Sequence, residues 1–251
     1  MENQINNERI DILPQTGTKI IQIKKSFCFG IDAILLSNFA KAHNGNKIVD
    51  LGTGTGVIPI LMSSYYPSSI FYGIDIQGEY VDMANRSVAL NCLEDRVKIL
   101  KCDIKNPFPT LSKNDFDVVI SNPPFIKKAD FVVNESGMNL SKMIARHEIY
   151  CNLEDVVKSA SSLLKSKGKF YLIHKPFRLS EIILLLNKYK LNPKKIRFVH
   201  PFQNTEPSMV LVQAEKSSLS DLIVERPLVL YESQGVYSEE VQSYYKKIKT
   251  E

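Results

Sequence analysis

The chain has 251 residues, 44% hydrophobic and 24% charged with 11 glycines, which suits one large α/β domain with short additions, and its net charge of +5 permits a polyanionic partner without demanding one. Cys28, Cys92, Cys102 and Cys151 form no C-x-x-C pair and the four histidines show no metal-ligand spacing, so neither a disulfide nor a metal is expected. No apolar run approaches a membrane span, and residues 1–12 are polar and acidic where a secretory leader is basic and then apolar; no membrane association and a cytoplasmic location are the expectation.

Residues 8–23 read as irregular, punctuated by Pro14 and Gly17, and end in an apolar run at 20–23 that suits a short strand. Between Phe27 and Phe39, Ile34, Leu35 and Phe39 recur at helical spacing, and Asp32 sits where an N-cap would. The alternative for this helix is a lid over a cofactor pocket. Lys47 to Gly56 (KIVDLGTGTG) is a strand running into a glycine turn, followed by a helix over 57–65. Gly52, Gly54 and Gly56 let the backbone turn tightly and approach a ligand, with helix N-terminal amides pointing at it. No Gly-Lys-Ser/Thr follows, and G-x-G-x-G departs from the dinucleotide spacing G-x-G-x-x-G. Asp50, just before the first glycine, suits a ligand amine, so the turn fits a ligand with an amino-acid head rather than a pyrophosphate.

Ile70 to Asp75 is a strand ending in an acid placed to accept from ribose hydroxyls. A helix over 78–91 leads to a third strand, Val97 to Asp103, whose final carboxylate can accept from an adenine amino group. Singly, each such aspartate is more commonly a helix cap; three in register at consecutive strand ends carry more weight. The fourth strand, Asp117 to Ser121, stops at Asn122-Pro-Pro-Phe125. Two prolines stiffen the exit and hold two acceptors, the Asn122 side-chain oxygen and the Pro123 carbonyl, with the Phe125 ring beside them. An amino group on a heteroaromatic ring is a poor nucleophile because its lone pair is delocalised. Two acceptors that each take one N–H direct that lone pair outward, while the ring stacks on the base.

Beyond Phe125 the chain is basic and irregular, then helical over 143–148 and 153–164. Strands follow at 168–174, 195–200 and 209–214 with a helix at 180–189, and the last two strands form an antiparallel hairpin. A short apolar stretch at 228–231 and a helix over 238–248 complete the chain. The sum is an open, mostly parallel sheet with its ligand at the carboxyl strand ends.

The Asp50–Gly56 turn, Asp75, Asp103 and Asn122-Pro-Pro-Phe125 resemble the ordered motifs of class I S-adenosylmethionine-dependent methyltransferases acting on exocyclic or amide nitrogens. Residues 20–24, 29–36, 144–148, 174–178 and 228–231 resemble one branch, the bacterial tRNA(1)(Val) adenine-N6 methyltransferase family, over nearly the whole chain. The resemblance implies a Rossmann-like class I methyltransferase fold: a seven-stranded, mostly parallel sheet with an antiparallel last strand and helices on both faces. It implies S-adenosyl-L-methionine as cofactor and the anticodon region of a tRNA as partner, with N6 methylation of the adenine beside the anticodon, nucleotide 37. Gly52, Gly54 and Gly56 would cradle the methionine portion, with Asp50 beside them, Asp75 the ribose and Asp103 the adenine. Asn122 and Pro123 would bind the target amine and Phe125 would stack on the flipped base. Phe125 stands where the commonest adenine-N6 version has Tyr, which keeps the stack and narrows the distinction from guanine-N2 enzymes.

Lys127, Lys128, Arg146, His147, Lys175 and Arg178 would rim the site and contact phosphates. For a single lysine the plainer reading is a solvated loop residue, and for Arg146 and His147 an ion pair with Glu148. One structural domain is expected, with residues 1–45 as an extension over the cofactor site, 46–216 as the core and 217–251 as a C-terminal extension. The oligomeric state is open, with a monomer favoured. The competing functions are a guanine-N2 rRNA methyltransferase, a protein glutamine-N5 methyltransferase, and a cofactor-binding assembly factor without catalysis.

Overall fold

The computed structural model describes residues 8–23, 30–125, 151–218 and 221–246. At the centre, β3 (Lys47–Leu51), β4 (Ile70–Asp75), β5 (Val97–Lys101), β6 (Phe116–Ser121), β7 (Leu164–His174), β8 (Leu191–His200) and β9 (Met209–Lys216) lie in the order β8-β9-β7-β6-β3-β4-β5. All run parallel except β9, which pairs antiparallel with both β7 and β8. The expected antiparallel last strand is therefore present. Two short strands not anticipated, β10 (Ile223–Val224) and β11 (Leu228–Val229), add parallel to β8 and bring the sheet to nine strands.

Alternation along the strands buries both faces, as a covered parallel sheet requires. Ile48, Val118, Ile120, Tyr171 and Ile173 pack beneath α1 (Ile31–Phe39), α2 (Val57–Tyr65) and α3 (Gly78–Leu90). Val49, Leu51, Val119, Phe170 and Leu172 pack against α4 (Leu153–Leu163) and α5 (Leu179–Lys188) on the other side. From β3 the chain moves outward through β4 and β5, then returns to place β6 on the opposite flank of β3. The crevice between β3 and β6 is the switch point, where open α/β sheets bind ligands beyond the carboxyl strand ends.

Several boundaries differ from the sequence reading. Residues 8–12, expected irregular, form β1 (Glu8–Ile12), which pairs antiparallel with β2 (Lys19–Ile23). The hairpin docks on α3: the Ile21 N–H donates to Ser87 Oγ at 2.9 Å, and the Arg86 guanidinium donates to both Glu8 oxygens at 2.7 and 2.8 Å. β5 stops two residues before Asp103, and β7 and β8 start earlier than expected, at Leu164 and Leu191. A chain register shift opposite Phe116 and Val118 lies where β7 passes Gly168, at which a Cβ would come within 2.9 Å of the Lys165 carbonyl oxygen. The C-terminal segment forms the hairpin β12 (Tyr231–Ser233) and β13 (Val236–Tyr237), then α6 (Glu239–Tyr244), shorter than the helix expected over 238–248. The helix expected at 143–148 lies outside the described residues.

Candidate active site

The register of the sheet aligns the motif residues. Leu51 pairs with Ser121 and Ile74, and Asp75 with Lys101, so Asn122, Gly52 and Asp75 leave adjacent strands side by side. Ser121 Oγ donates to the Leu51 carbonyl at 2.8 Å and pins β6 to β3 at this level.

The glycine turn folds back on β4: the Gly52 and Thr53 N–H groups both donate to the Ile74 carbonyl at 2.9 Å. Gly52, Gly54 and Gly56 have φ of +77°, +54° and +78°, a left-handed conformation that disfavours side chains, which accounts for three glycines at this spacing. Nothing lies within 4 Å of where a Gly54 Cβ would sit, so the loop borders open space.

Asp75 is buried, and its carboxylate closes the turn: Oδ2 accepts from the Gly54 N–H and Oδ1 from the Gln77 N–H, both at 2.9 Å. Burial pushes its pKa up while these amides pull the other way. Asp50 is also buried, yet neither of its oxygens, nor the Thr53 hydroxyl beside it, completes a hydrogen bond among the described residues. Burial raises its pKa to about 7; the Thr53 hydroxyl, close by but outside hydrogen-bonding geometry, opposes the rise and the Asp75 charge adds to it. A buried carboxyl without a donor is rare in folded proteins. Asp103 lies in a turn rather than at a strand end, with Oδ1 accepting from the Lys105 N–H at 2.9 Å and its side chain 38% exposed.

Asp32 is not the N-cap expected. Helix α1 begins at Ile31 with Gly30 as N-cap, and no side chain caps it. Asp32 instead accepts from Asn122 Nδ2 at 2.9 Å through its Oδ2, while its Oδ1 is buried and without a partner among the described residues. Gly30 permits that posture, because a Cβ there would lie 2.5 Å from Asp32 Oδ1. With the Asn122 amide nitrogen committed to Asp32, its carbonyl oxygen is presented as an acceptor.

The Phe125 ring lies 5.3 Å from the His174 ring, tilted by 57°, and Lys175 Nζ stands 5.4 Å from the Phe125 centroid. His174 is fully buried, and its Nδ1 accepts from the Lys175 N–H at 2.7 Å. Burial, reinforced by the Arg178 charge, lowers its pKa to about 3, so the ring is neutral.

Residues 30–190 match the family model for the methyltransferase small domain. The Phocaeicola vulgatus protein named tRNA1(Val) (adenine(37)-N6)-methyltransferase is 30% identical over 84% of this chain and 86% of its own length. A Porphyromonas gingivalis protein of the same name is 28% identical over 84% of each chain. The chain belongs to this methyltransferase family. Among solved structures, a predicted O-methyltransferase, Atu636 from Agrobacterium tumefaciens, superposes with a TM-score of 0.68 at 21% identity, covering 86% of this chain and 98% of its own. TrmN from Thermus thermophilus does so with a TM-score of 0.52 at 19% identity, over 73% of this chain and 48% of its own. Both likenesses are of fold.

At the carboxyl strand ends the structure brings together Asp50, Gly52, Gly54, Gly56, Asp75 and Asn122, and it places Phe125 against His174 and Lys175 at the end of β7. Arg178 departs from the expected rim: it is 3% exposed and donates through Nε and Nη2 to the two Glu181 oxygens, both at 2.8 Å, which suits holding α5 rather than meeting phosphate. Lys127, Lys128, Arg146 and His147 lie outside the described residues. Sequence reasoning missed Asp32 and His174 as parts of the site; the tight Gly30-Ile-Asp32 spacing was the available signal for the first. Among the described residues no group of three His, Cys, Asp or Glu is placed to hold a metal, and no helix is long and apolar enough to cross a membrane.

Proposed function

We propose that this protein transfers a methyl group from S-adenosyl-L-methionine to the exocyclic N6 of an adenine in tRNA, nucleotide 37 beside the anticodon of a valine tRNA. The observation that carries the reading is the Asp32–Asn122 hydrogen bond, which leaves the Asn122 amide oxygen to accept from a ligand at the switch point. The printed names of the relatives supply the nucleotide and the tRNA.

The residues fit the cofactor. The unpartnered, buried Asp50 at the start of the glycine turn suits the α-ammonium of an amino-acid head, and Gly52, Gly54 and Gly56 let the backbone approach the methionine portion. Asp75 has lone pairs remaining for ribose hydroxyls after serving Gly54 and Gln77, and Asp103 is the proposed acceptor for the adenine amino group. When bound, the cofactor supplies an electrophilic methyl on a sulfonium. Asn122 and the Pro123 carbonyl take the two N–H bonds of the target amine, and Phe125 holds the base by stacking. As nitrogen gains the methyl it becomes cationic, and two acceptors stabilise that charge more than they stabilise the neutral amine. The C–S bonding pair would stay on sulfur as a neutral thioether, and the excess N–H proton would pass to solvent water, so no strong base is required.

Lys127, Lys128, Arg146, His147 and Lys175 are the proposed phosphate contacts. Residues 46–216 form the proposed catalytic core, with 1–45 as an extension whose helix α1 reaches the site through Asp32, and 217–251 as a C-terminal extension. The proposed location is the cytoplasm. The test is transfer from labelled S-adenosylmethionine into unmodified tRNA, rRNA and a protein extract. N6-methyladenosine in tRNA is expected; label in rRNA guanine or in protein glutamine overturns the substrate assignment, and no label in any pool overturns the activity.

A further inference from the structure

A row of aromatic rings crosses the C-terminal segment, which the methyl-transfer chemistry leaves unused. Tyr245 stacks on Tyr237 with centroids 5.6 Å apart and planes at 11°, and Tyr237 stacks on Tyr231 at 5.1 Å and 16°. Tyr231 in turn meets Phe202 at 5.6 Å and 37°. The three tyrosines are half-buried against the core, whereas Phe202 is exposed.

Phe202 is also held still. Thr205 Oγ accepts from the Phe202 N–H at 3.0 Å and donates to the Phe202 carbonyl at 2.8 Å, while His200 Nδ1 donates to the Thr205 carbonyl at 2.6 Å. The Tyr231 N–H donates to the Pro201 carbonyl at 3.0 Å, which ties the next ring of the row to the same loop. The ring thus packs one side on Tyr231 and leaves the other to solvent.

Its position in the fold gives the ring a partner. Because β9 is antiparallel to both neighbours, β8 runs parallel to β7 and β6, and Phe202, two residues past β8, lies beyond the same carboxyl end of the sheet as Asn122, five residues further out by the register that sets Arg197 level with Asn122. Three strand spacings separate β8 from β6 across the sheet, about 14 Å, and the offset along the strands adds to that separation. Between the two rings stands Lys175: its Nζ lies over Phe125 and donates to the Ser208 carbonyl at 3.3 Å, and the Ser208 N–H is bonded to the Val199 carbonyl at the end of β8. No carboxylate pairs with Lys175 among the described residues. Two aromatic rings and a cation at one end of the sheet supply the stacking faces and the positive charge that sequence-tolerant sites for unpaired nucleotides use.

We propose that Phe202, backed by Tyr231, is a second stacking site that holds an unpaired base of the RNA substrate near the methylated nucleotide. The inference rests on the RNA reading above and adds to it a named surface outside the methyl-transfer pocket. The ring keeps the loop spread while the target base occupies Phe125, so its contribution belongs to RNA binding.

The test is steady-state kinetics on the tRNA with Phe202→Ala, Phe202→Leu and Phe202→Trp, with cofactor affinity and thermal melting as controls. Loss of one base–aromatic stack raises the KM for RNA about ten- to a hundredfold in the Ala variant, with the loss in KM rather than kcat. Leu, apolar but without a flat face, behaves as Ala, and Trp restores the wild-type KM. A fluorescent 2-aminopurine placed in turn at each loop position is quenched at one position by the wild type and not by Phe202→Ala. An unchanged KM in Phe202→Ala, or a Leu variant equal to Trp, overturns the inference while leaving the RNA reading intact. A wild-type protein that methylates no RNA overturns the reading and the inference together.

Discussion

Replacing Asp32 tests whether Asn122 works because it is oriented. Without Asp32, the Asn122 amide loses the one described partner of its nitrogen and is free to present N–H instead of oxygen to the substrate amine. The 2.9 Å bond joins an amide to a carboxylate, a class worth about 1.5–3 kcal/mol. Spent wholly on holding the productive orientation, that lowers kcat about ten- to a hundredfold, since each 1.36 kcal/mol is about tenfold. Asp32→Asn retains a neutral acceptor of the same shape, so its loss falls between wild type and Asp32→Ala. Folding should not suffer greatly, because Ala also removes the buried Oδ1 that has no partner among the described residues. Single-turnover rates at saturating cofactor and RNA measure the effect. A double-mutant cycle read on RNA affinity makes it decisive: once Asn122→Ala is in place, Asp32→Ala should weaken RNA binding no further. A wild-type rate in Asp32→Ala, or the same loss of RNA affinity on both backgrounds, refutes the orienting role.

Asn122→Ala should abolish transfer with less than about a twofold change in cofactor affinity, whereas Asp75→Ala should weaken cofactor binding by about tenfold or more, since it also releases the Gly54 amide; equal loss of affinity in both sinks the division of roles. Asp50, with a pKa raised to about 7, contributes stability that is fully present below the unfolded carboxyl pKa, near 4, and is lost as pH rises towards 7. A bound ammonium favours the ionised form, so cofactor affinity should rise about tenfold between pH 6 and pH 8, and Asp50→Asn should flatten both profiles. Calorimetric titration at the two pH values checks this, and equal affinities contradict it. Lys175→Ala should weaken RNA binding and reduce the slope of log K against log salt by about 0.7, the value for one single-strand phosphate contact; an unchanged slope removes Lys175 from the interface.

The catalytic half of this protein was legible because its signals are local. Gly52, Gly54 and Gly56 announce positive φ, Asn122-Pro-Pro-Phe125 announces a stiff strand exit, and the apolar runs before them announce buried parallel strands. Asp32 was read as a helix cap because an acid in the first turn fits that role, and only its contact with Asn122, ninety positions away, distinguishes the two. β1 was not legible because its polar–apolar alternation, Arg9-Ile10-Asp11-Ile12, spans only four residues before Pro14, and the structure leaves both isoleucines exposed. The early start of β7 was hidden by Lys165-Ser-Lys167, which reads as a loop, and Arg178 looked like a surface cation until Glu181 was seen to hold it indoors. The ring row from Phe202 to Tyr245 draws on three separate segments, and no periodicity in the chain reports it.

The most direct measurement is methylation of two transcripts of a valine tRNA, identical except for adenine or guanine at nucleotide 37, followed by nucleoside analysis. The account predicts N6-methyladenosine from the first transcript with wild-type protein, no transfer to the second, and none to either with Asn122→Ala. N2-methylguanosine from the second transcript, or transfer surviving in Asn122→Ala, would contradict it.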